Sequence, residues 1–229
     1  MNKALGSESF ARPLAVDASS GSIQVGIPES EEWLHVESVE LSALEGLFMA
    51  TSGVLKKIGR ELSEVDALFF CQGPGSTLGL RISAAFVKTV LWESGGGIPL
   101  YSYNALDLAS RMPENPPAHL QAPFRKGWRF VRSQKGSEAI GDKDIHESER
   151  AFSLFPESHH LPDPRGNDES IDSSKLITYD LAGSKGLQDL KLVALPAESP
   201  EVYSPAPPSF KKWNPERTPS GMKDSARSS

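Results

Sequence analysis

A strand, a turn and a helix follow one another in residues 66–88, Asp66-Ala-Leu-Phe-Phe-Cys-Gln-Gly-Pro-Gly-Ser-Thr-Leu-Gly-Leu-Arg-Ile-Ser-Ala-Ala-Phe-Val-Lys88. The apolar run 65–71 is typical of a strand buried in a parallel sheet. Residues 72–76 contain two glycines and a proline, which predicts a tight turn. Leu80 to Glu93 is predicted as a helix that ends at Gly95-Gly96-Gly97. This order of elements indicates an α/β fold.

The residues before this segment predict a hairpin and a first helix. Leu14 to Asp17 and Ile23 to Ile27 read as two strands joined by a polar turn. A helix is predicted over Ser42–Leu62, with Ser42 and Glu45 at the spacing of a capping box. One face of this helix would carry Leu41, Leu44, Phe48, Leu55, Ile58 and Leu62, and a narrower stripe Leu47 and Val54.

The residues after this segment change in character at Pro113. Predicted strands are 98–102, 128–132, 176–179 and 190–195, with a short helix over 105–111. The expected organisation is a lobe over 1–113, a smaller lobe over 114–204 and an extended or disordered tail over 205–229. Residues 141–174 are acidic and poor in apolar side chains, which predicts a long, partly mobile excursion.

Composition excludes several classes of protein. The chain has a formal charge of −6, and an acidic chain is a poor main gripping surface for RNA phosphates. Its single cysteine, Cys71, rules out an internal disulfide framework. The first residues contain no apolar run of the length expected for a signal h-region, and no stretch approaches the roughly 20 apolar residues of a membrane span. We therefore expect a cytoplasmic protein that does not enter a membrane.

The segment from Gly73 onward resembles the TsaB (YeaZ) family of bacterial tRNA threonylcarbamoyladenosine synthesis, which carries Gly-Pro-Gly-Ser-Phe-Thr-Gly-Leu-Arg-Ile-Gly. The matching residues are Gly73, Pro74, Gly75, Ser76, Gly79, Leu80, Arg81, Ile82 and Lys88. Leu14-Ala-Val-Asp-Ala-Ser-Ser and Ile98-Pro-Leu-Tyr-Ser-Tyr-Asn-Ala-Leu are similar to two further family segments. The resemblance covers residues 14–108. The second lobe departs from the family pattern, because Pro123-Phe124-Arg125-Lys126-Gly127 has lost the acid of the family's Asp-Ala-Arg-Arg-Gly.

The resemblance implies an actin-like (ASKHA, Hsp70/actin-type) two-lobed fold with mixed β-sheets flanked by helices. It also implies a non-catalytic role. Members of the family dock on the catalytic subunit TsaD, which holds ATP and metal, and the ATPase TsaE joins them. No intrinsic cofactor, metal or catalytic residue is then expected here, and tRNA would be contacted only through the complex.

Docking in the family uses the two long helices of the first lobe. On the helical wheel, the predicted partner interface is Leu47, Thr51, Val54, Ile82, Ala85, Thr89 and Trp92. Both helices carry more apolar surface than one core face needs. The alternative is that these side chains simply fill the core.

The turn at Gly73 is also a candidate anion or nucleotide loop, with Asp17, Ser19, Gly73, Gly75, Ser76 and Arg81 as its residues. It follows a strand and opens a helix, as anion sites do. The P-loop motif is absent, and Pro74 removes a donor that a dinucleotide loop would use. Asp17 is either the acid of an actin-like ATPase or a strand-end residue bonded to its own turn.

The histidines and the cysteine do not form a recognisable site. His159 and His160 are adjacent, so they lack the spacing of a zinc protease pair. Cys71 ends an apolar strand and is interpreted as a buried small hydrophobe. Two other functions stay open: a nucleotide-hydrolysing actin-like enzyme, and a diverged homodimeric binding protein.

Overall fold

A computed structural model describes residues 9–133, 143–166 and 170–202 of the protein. Two mixed β-sheets form the framework. The first sheet has the strand order β10-β5-β4-β1-β2-β3 and the second has the order β8-β7-β6-β9. The strands are β1 Pro13–Asp17, β2 Ile23–Pro28, β3 Trp33–Val39, β4 Ala67–Cys71, β5 Leu100–Tyr103, β6 His119–Arg125, β7 Trp128–Ser133, β8 Lys143–Glu147, β9 His159–His160 and β10 Leu195–Ala197.

The central strands of the first sheet, β1, β2 and β4, are buried on both faces. Strands β1, β4 and β5 run parallel, while β2 and β3 extend the sheet antiparallel to β1. Side chains alternate across β1: Leu14 and Val16 join the core under α1 and α2, and Ala15 joins the core shared with the second sheet. Covering both faces explains why β1 and β4 are continuously apolar up to Asp17 and Cys71.

Within the described ranges, five α-helices cover the sheets. They are α1 Ala43–Ile58, α2 Thr77–Glu93, α3 Ala105–Ala109, α4 Ser148–Leu154 and α5 Gly186–Val193. Helix α1 begins after Ser42, but the Ser42 side chain makes no capping hydrogen bond, so the predicted capping box is wrong. Helix α2 begins one turn earlier than predicted, because the Ser76 hydroxyl accepts a hydrogen bond from the Gly79 amide at 3.3 Å.

The second sheet contains much of the stretch that was predicted as a polar excursion. Strand β8, helix α4 and strand β9 all lie between residues 143 and 160. The predicted strand at 128–132 is confirmed as β7, which pairs with β6 through a hairpin whose turn residue Gly127 has φ 75°. The predicted tail over 205–229 lies outside the described residues.

The chain returns to the first sheet before residue 202. The predicted strand over 190–195 is wrong: the segment is mainly α5, whose Leu187, Leu190 and Val193 point into the core. Strand β10 then pairs with β5 antiparallel. The predicted strand over 176–179 is reduced to one bridge between His160 and Leu176. Residues 114–204 are therefore not a continuous second lobe, since the last part completes the first.

None of the helices in the described ranges is long and apolar enough to cross a membrane.

Candidate functional site

Asp17 lies at the centre of a buried polar cluster at the carboxyl end of β1. Its side chain is 0% exposed. Oδ1 accepts hydrogen bonds from the amide and the hydroxyl of Ser19, at 2.8 and 2.6 Å. Oδ2 accepts hydrogen bonds from the hydroxyls of Tyr103 and Tyr179, at 2.9 and 2.6 Å. These four donors occupy both oxygens, which leaves the carboxylate little capacity to hold a metal or to orient a water.

The tyrosine and cysteine side chains around Asp17 do not ionise readily. Burial first, and then the nearby Asp17 charge, raise the pKa of both Tyr103 and Tyr179 well above the ordinary phenol value. Burial likewise raises the pKa of the Cys71 thiol. Cys71 is a free, fully buried thiol, as the sequence predicted, and a neutral buried thiol is a poor nucleophile.

Tyr179 belongs to a strap, residues 177–184, that is fixed over the end of β1. The Gln24 side chain holds this strap from β2: its amide donates to the Tyr179 carbonyl at 3.3 Å, and its carbonyl accepts from the Leu181 amide at 2.7 Å. Since Gln24 is also buried, both bonds are shielded from water. The strap therefore seals the place where the sequence predicted a nucleotide loop.

The turn at Gly73–Ser76 packs directly on the turn that follows β1. The Ser76 amide donates to the Ser19 carbonyl at 2.8 Å. Gly75 has φ 156°, and a Cβ at this position would clash with the Ser19 carbonyl oxygen. A Cβ at Gly79 would likewise clash with the Ala18 carbonyl oxygen. These glycines are required for close backbone packing.

The space left beside Ser19 and Tyr179 is very small, whereas a cavity of about 240 Å³ lies farther out, between Ser76 and Arg165. The cavity bordered by Ser19, Gly75, Pro123 and Tyr179 has a volume of about 20 Å³. That volume is about what a single water molecule requires. The structure thus brings Asp17, Ser19, Gly75 and Ser76 together as predicted, but as a packed junction. Arg81 is exposed and lies outside this junction.

The predicted partner interface divides between the core and the surface. On α1, Leu47, Thr51 and Val54 are buried under the first sheet, and this part of the prediction is corrected to core. On α2, Ile82 is half-buried, and Ala85, Thr89 and Trp92 are exposed. The prediction assigned the wrong face of α1 to the partner. Leu47, Ala50 and Val54 form a stripe whose helical spacing is as regular as that of the exposed stripe, so spacing alone does not distinguish the two faces.

Part of the solvent-facing side of the α1–α2 pair is apolar, although Glu45, Lys88 and Thr89 are also exposed on these helices. We call this surface the outer strip, and it consists of Leu44 and Phe48 of α1 and Ile82, Ala85, Phe86 and Trp92 of α2. Phe48 is 58% exposed and Trp92 is 83% exposed. The rings of Phe48 and Phe86 meet edge to face with centroids 6.2 Å apart, which joins the two helices into one surface. Large exposed apolar side chains grouped in this way mark interaction surfaces.

Sequence reasoning missed the two tyrosines and misplaced Phe48. The two hydroxyls reach Asp17 from 86 and 162 residues away, so no local pattern signals the contact. The exposed position of Phe48 could have been predicted from the sequence. Gly46 and Ala50 give their side of the helix the small residues that close packing on a strand requires, and a Cβ at Gly46 would lie only 3.0 Å from Ile23 Cγ1.

The arrangement of the two sheets and the outer helices is that of an actin-like α/β fold. The chain shares this fold with YeaZ from Pseudomonas aeruginosa, at 22% identity and a TM-score of 0.51, over 62% of this chain and 69% of that one. The resemblance drawn from the motif at Gly73 is thereby confirmed at the level of the fold.

Two further solved structures are similar at lower scores. One is an uncharacterized protein with similarity to peptidase YeaZ from Pseudomonas aeruginosa, at 23% identity and a TM-score of 0.46, over 61% of this chain and 65% of that one. The other is component A of (R)-2-hydroxyglutaryl-CoA dehydratase from Acidaminococcus fermentans, at 10% identity and a TM-score of 0.39, over 64% and 53%. No protein-family model matches the chain, and no curated protein matches it in sequence.

Proposed function

We propose that this chain is a TsaB-like, non-catalytic subunit of the bacterial complex that makes threonylcarbamoyladenosine on tRNA. In this role it docks on a TsaD-like catalytic subunit and activates it, and a TsaE-like ATPase joins the assembly. ATP and metal are held by the TsaD-like partner. The support comes from the Gly73–Lys88 motif and from the fold shared with YeaZ.

The single observation that carries the proposal is the outer strip. Phe48 and Trp92 are large, apolar and more than half exposed. Burying such a side chain against a partner contributes about 1.5–3 kcal/mol, and central aromatic residues dominate binding energy in protein interfaces. Ala85, between Ile82 and Trp92 on α2, is small enough to let a partner helix come close.

The closed Asp17 cluster supports a non-catalytic role. An ATP-hydrolysing actin-like enzyme needs an open cleft beside this position and a carboxylate free to act on metal or water. Here two tyrosines and a serine use the carboxylate, and the space beside it has a volume of about 20 Å³. We therefore expect no measurable Mg-ATP binding by the lone chain, and calorimetry would detect it if it occurred.

The proposal is tested by mixing the chain with its cognate TsaD-like protein at micromolar concentration and following co-elution in gel filtration. Phe48→Glu and Trp92→Glu should each abolish the complex, because a buried, unpaired carboxylate is costly in an interface. Leu154→Glu is the matched control: Leu154 is 51% exposed on α4, away from the outer strip, and this variant should bind like wild type. The absence of a complex with the wild-type chain would remove the main support for the proposal.

The same surface also makes a homodimer the second candidate. An outer strip that pairs with its own copy would give a concentration-dependent dimer that Trp92→Glu dissociates, measurable by sedimentation. Threonylcarbamoyladenosine levels in a deletion strain separate the two candidates. Loss of the modified nucleoside, restored by wild type and not by Trp92→Glu, supports the docking subunit, whereas unchanged levels favour the homodimeric binding protein.

A further inference from the structure

A larger cavity borders the Gly73–Ser76 turn, and neither Asp17 nor Ser19 is among the residues that line it. Its volume is about 300 Å³, against about 20 Å³ for the closed space beside Asp17. Cavities of this size hold small organic ligands. The cavity is bordered by the start of α2 and by the hairpin end of β6, so both sheets contribute to its walls.

The floor of the cavity is apolar and partly aromatic. Leu80, Phe124, Phe130 and Val202 line it. The rings of Phe124 and Phe130 pack edge to face with centroids 5.0 Å apart, which holds the Phe124 ring in place. A flat apolar group that enters the cavity would therefore meet a preformed surface.

The rim of the cavity is cationic. Arg81 comes from α2 and Arg125 from the end of β6, and both line the same space. Neither forms an ion pair with an acidic residue in the ranges that the structure describes. Arg125 lies over the Trp128 ring at 4.6 Å, which limits the orientations of its guanidinium. No acidic side chain is among the described residues that line the cavity.

Two arginines that have no acidic partner among the described residues are unexpected at one cavity of a chain whose formal charge is −6. Like charges that share a small space repel each other, and an anion placed between them relieves that repulsion. Arginine binds phosphate and carboxylate through paired N–H donors. Thr77 at the first turn of α2 lines the same cavity, where the helix dipole adds a positive potential.

From this cavity we infer a binding site for a small organic anion that has a flat apolar body and a phosphate or carboxylate group. The flat body lies on the half-buried Phe124 ring, which the fully buried Phe130 supports from below, and the anionic group lies between Arg81 and Arg125. The site is separate from the Asp17 cluster and from the outer strip. It does not depend on the proposed docking role, since the lone chain contains every residue named.

The test uses the full chain and three probes: phenyl phosphate, inorganic phosphate and benzyl alcohol. Binding is followed by ¹H–¹⁵N chemical-shift titration. Phenyl phosphate carries both the ring and the charge, so we expect saturable binding with a Kd on the order of 1 mM. Its shifts should be centred on Thr77, Arg81 and Arg125, and inorganic phosphate and benzyl alcohol should each bind at least about tenfold more weakly.

Charge-matched variants distinguish binding at this site from non-specific electrostatic attraction to the protein surface. Arg81→Gln and Arg125→Gln should each weaken phenyl phosphate binding about tenfold, because each removes a charged hydrogen-bond donor. Lys88→Gln on α2 and Lys126→Gln in the β6–β7 turn remove the same charge outside the cavity lining and should leave the Kd unchanged. Equal weakening by all four variants, or shifts spread over the surface, would overturn the inference and leave only non-specific attraction. Both arginines are exposed, so the variants should fold, which the unchanged resonances of the core would verify.

Discussion

The Asp17 cluster and the outer strip lie on opposite faces of the same first sheet, and they differ in what they offer a partner. The cluster is polar, lies at the position of the predicted nucleotide loop, and has its bonding capacity filled by Ser19, Tyr103 and Tyr179. The six side chains of the outer strip are apolar, and two of them, Phe48 and Trp92, are more than half exposed. The comparison teaches that residues able to do chemistry can be structural in one region, while apolar residues supply the exposed surface in another.

The largest effect on stability is expected from removing the Asp17 carboxylate. Asp17→Ala leaves two buried tyrosine hydroxyls and the Ser19 donors without their acceptor. We expect the free energy of unfolding to fall by about 3–5 kcal/mol. Urea denaturation measures it, and Glu93→Ala, an exposed carboxyl on α2, is the control with almost no effect. A variant as stable as wild type would show that the cluster is not structural and would reopen a catalytic role.

The close packing of the Gly73–Ser76 turn on the turn that follows β1 is tested at Gly75. Gly75→Ala places a Cβ against the Ser19 carbonyl oxygen, where the packing of the two turns leaves no room for it. Backbone must move, so we expect a loss of about 3 kcal/mol in the free energy of unfolding. Gly21→Ala is the matched control, because nothing lies within 4 Å of its Cβ position. Similar melting temperatures for the two variants would contradict the packed junction.

The second sheet adds a pH-dependent part to the comparison. Burial, followed by the charge of Arg129, lowers the pKa of His160 from 6.5 to about 4. Because the unfolded chain takes up this proton first as the pH falls, stability from His160 is present above about pH 6.5 and is lost towards pH 4. The expected loss between pH 7 and pH 4.5 is about 2 kcal/mol.

His160→Gln should remove that part of the acid sensitivity, whereas His35→Gln, at a half-buried position on β3, should retain it. Denaturation curves recorded across this pH range compare the two variants. Parallel pH profiles for wild type and His160→Gln would exclude His160 as the source.

The smallest expected effect on stability belongs to the outer strip. Trp92→Ser removes a side chain that is 83% exposed, so the free energy of unfolding should change by less than about 0.5 kcal/mol. Association with the partner should nevertheless be lost. A large loss of stability in this variant would mean that Trp92 supports the fold, and the contrast with Asp17 would then disappear.

The first half of the fold could be predicted because its signals are local. The strand 67–71, the turn at Gly73 and helix α2 follow one another within one segment, and each has its own composition. Strand β3 was missed because Trp33–Val39 is half-buried and lacks a continuous apolar run. Helix α5 was taken for a strand because a short apolar run such as Leu190–Leu195 is compatible with either element.

The candidate sites were predicted less well, because they depend on contacts between segments that are far apart in the sequence. Which stripe of α1 faces the sheet depends on packing against β2 and β3, and two stripes had suitable spacing. The pairing of Asp17 with Tyr179 depends on where the strap returns, which residues near Asp17 cannot indicate. Arg125 joins Arg81 only through the meeting of two sheets.

The pairing of β10 with β5 has a consequence for how the chain is made. The outer edge of β5 has no neighbour until Leu195–Ala197 have left the ribosome. While residues 104–194 are being translated, the nascent sheet therefore exposes an open edge of the kind that promotes aggregation. A gene fragment that ends at residue 113 would produce that unfinished edge permanently, so the N-terminal half should not be obtainable as a stable separate protein.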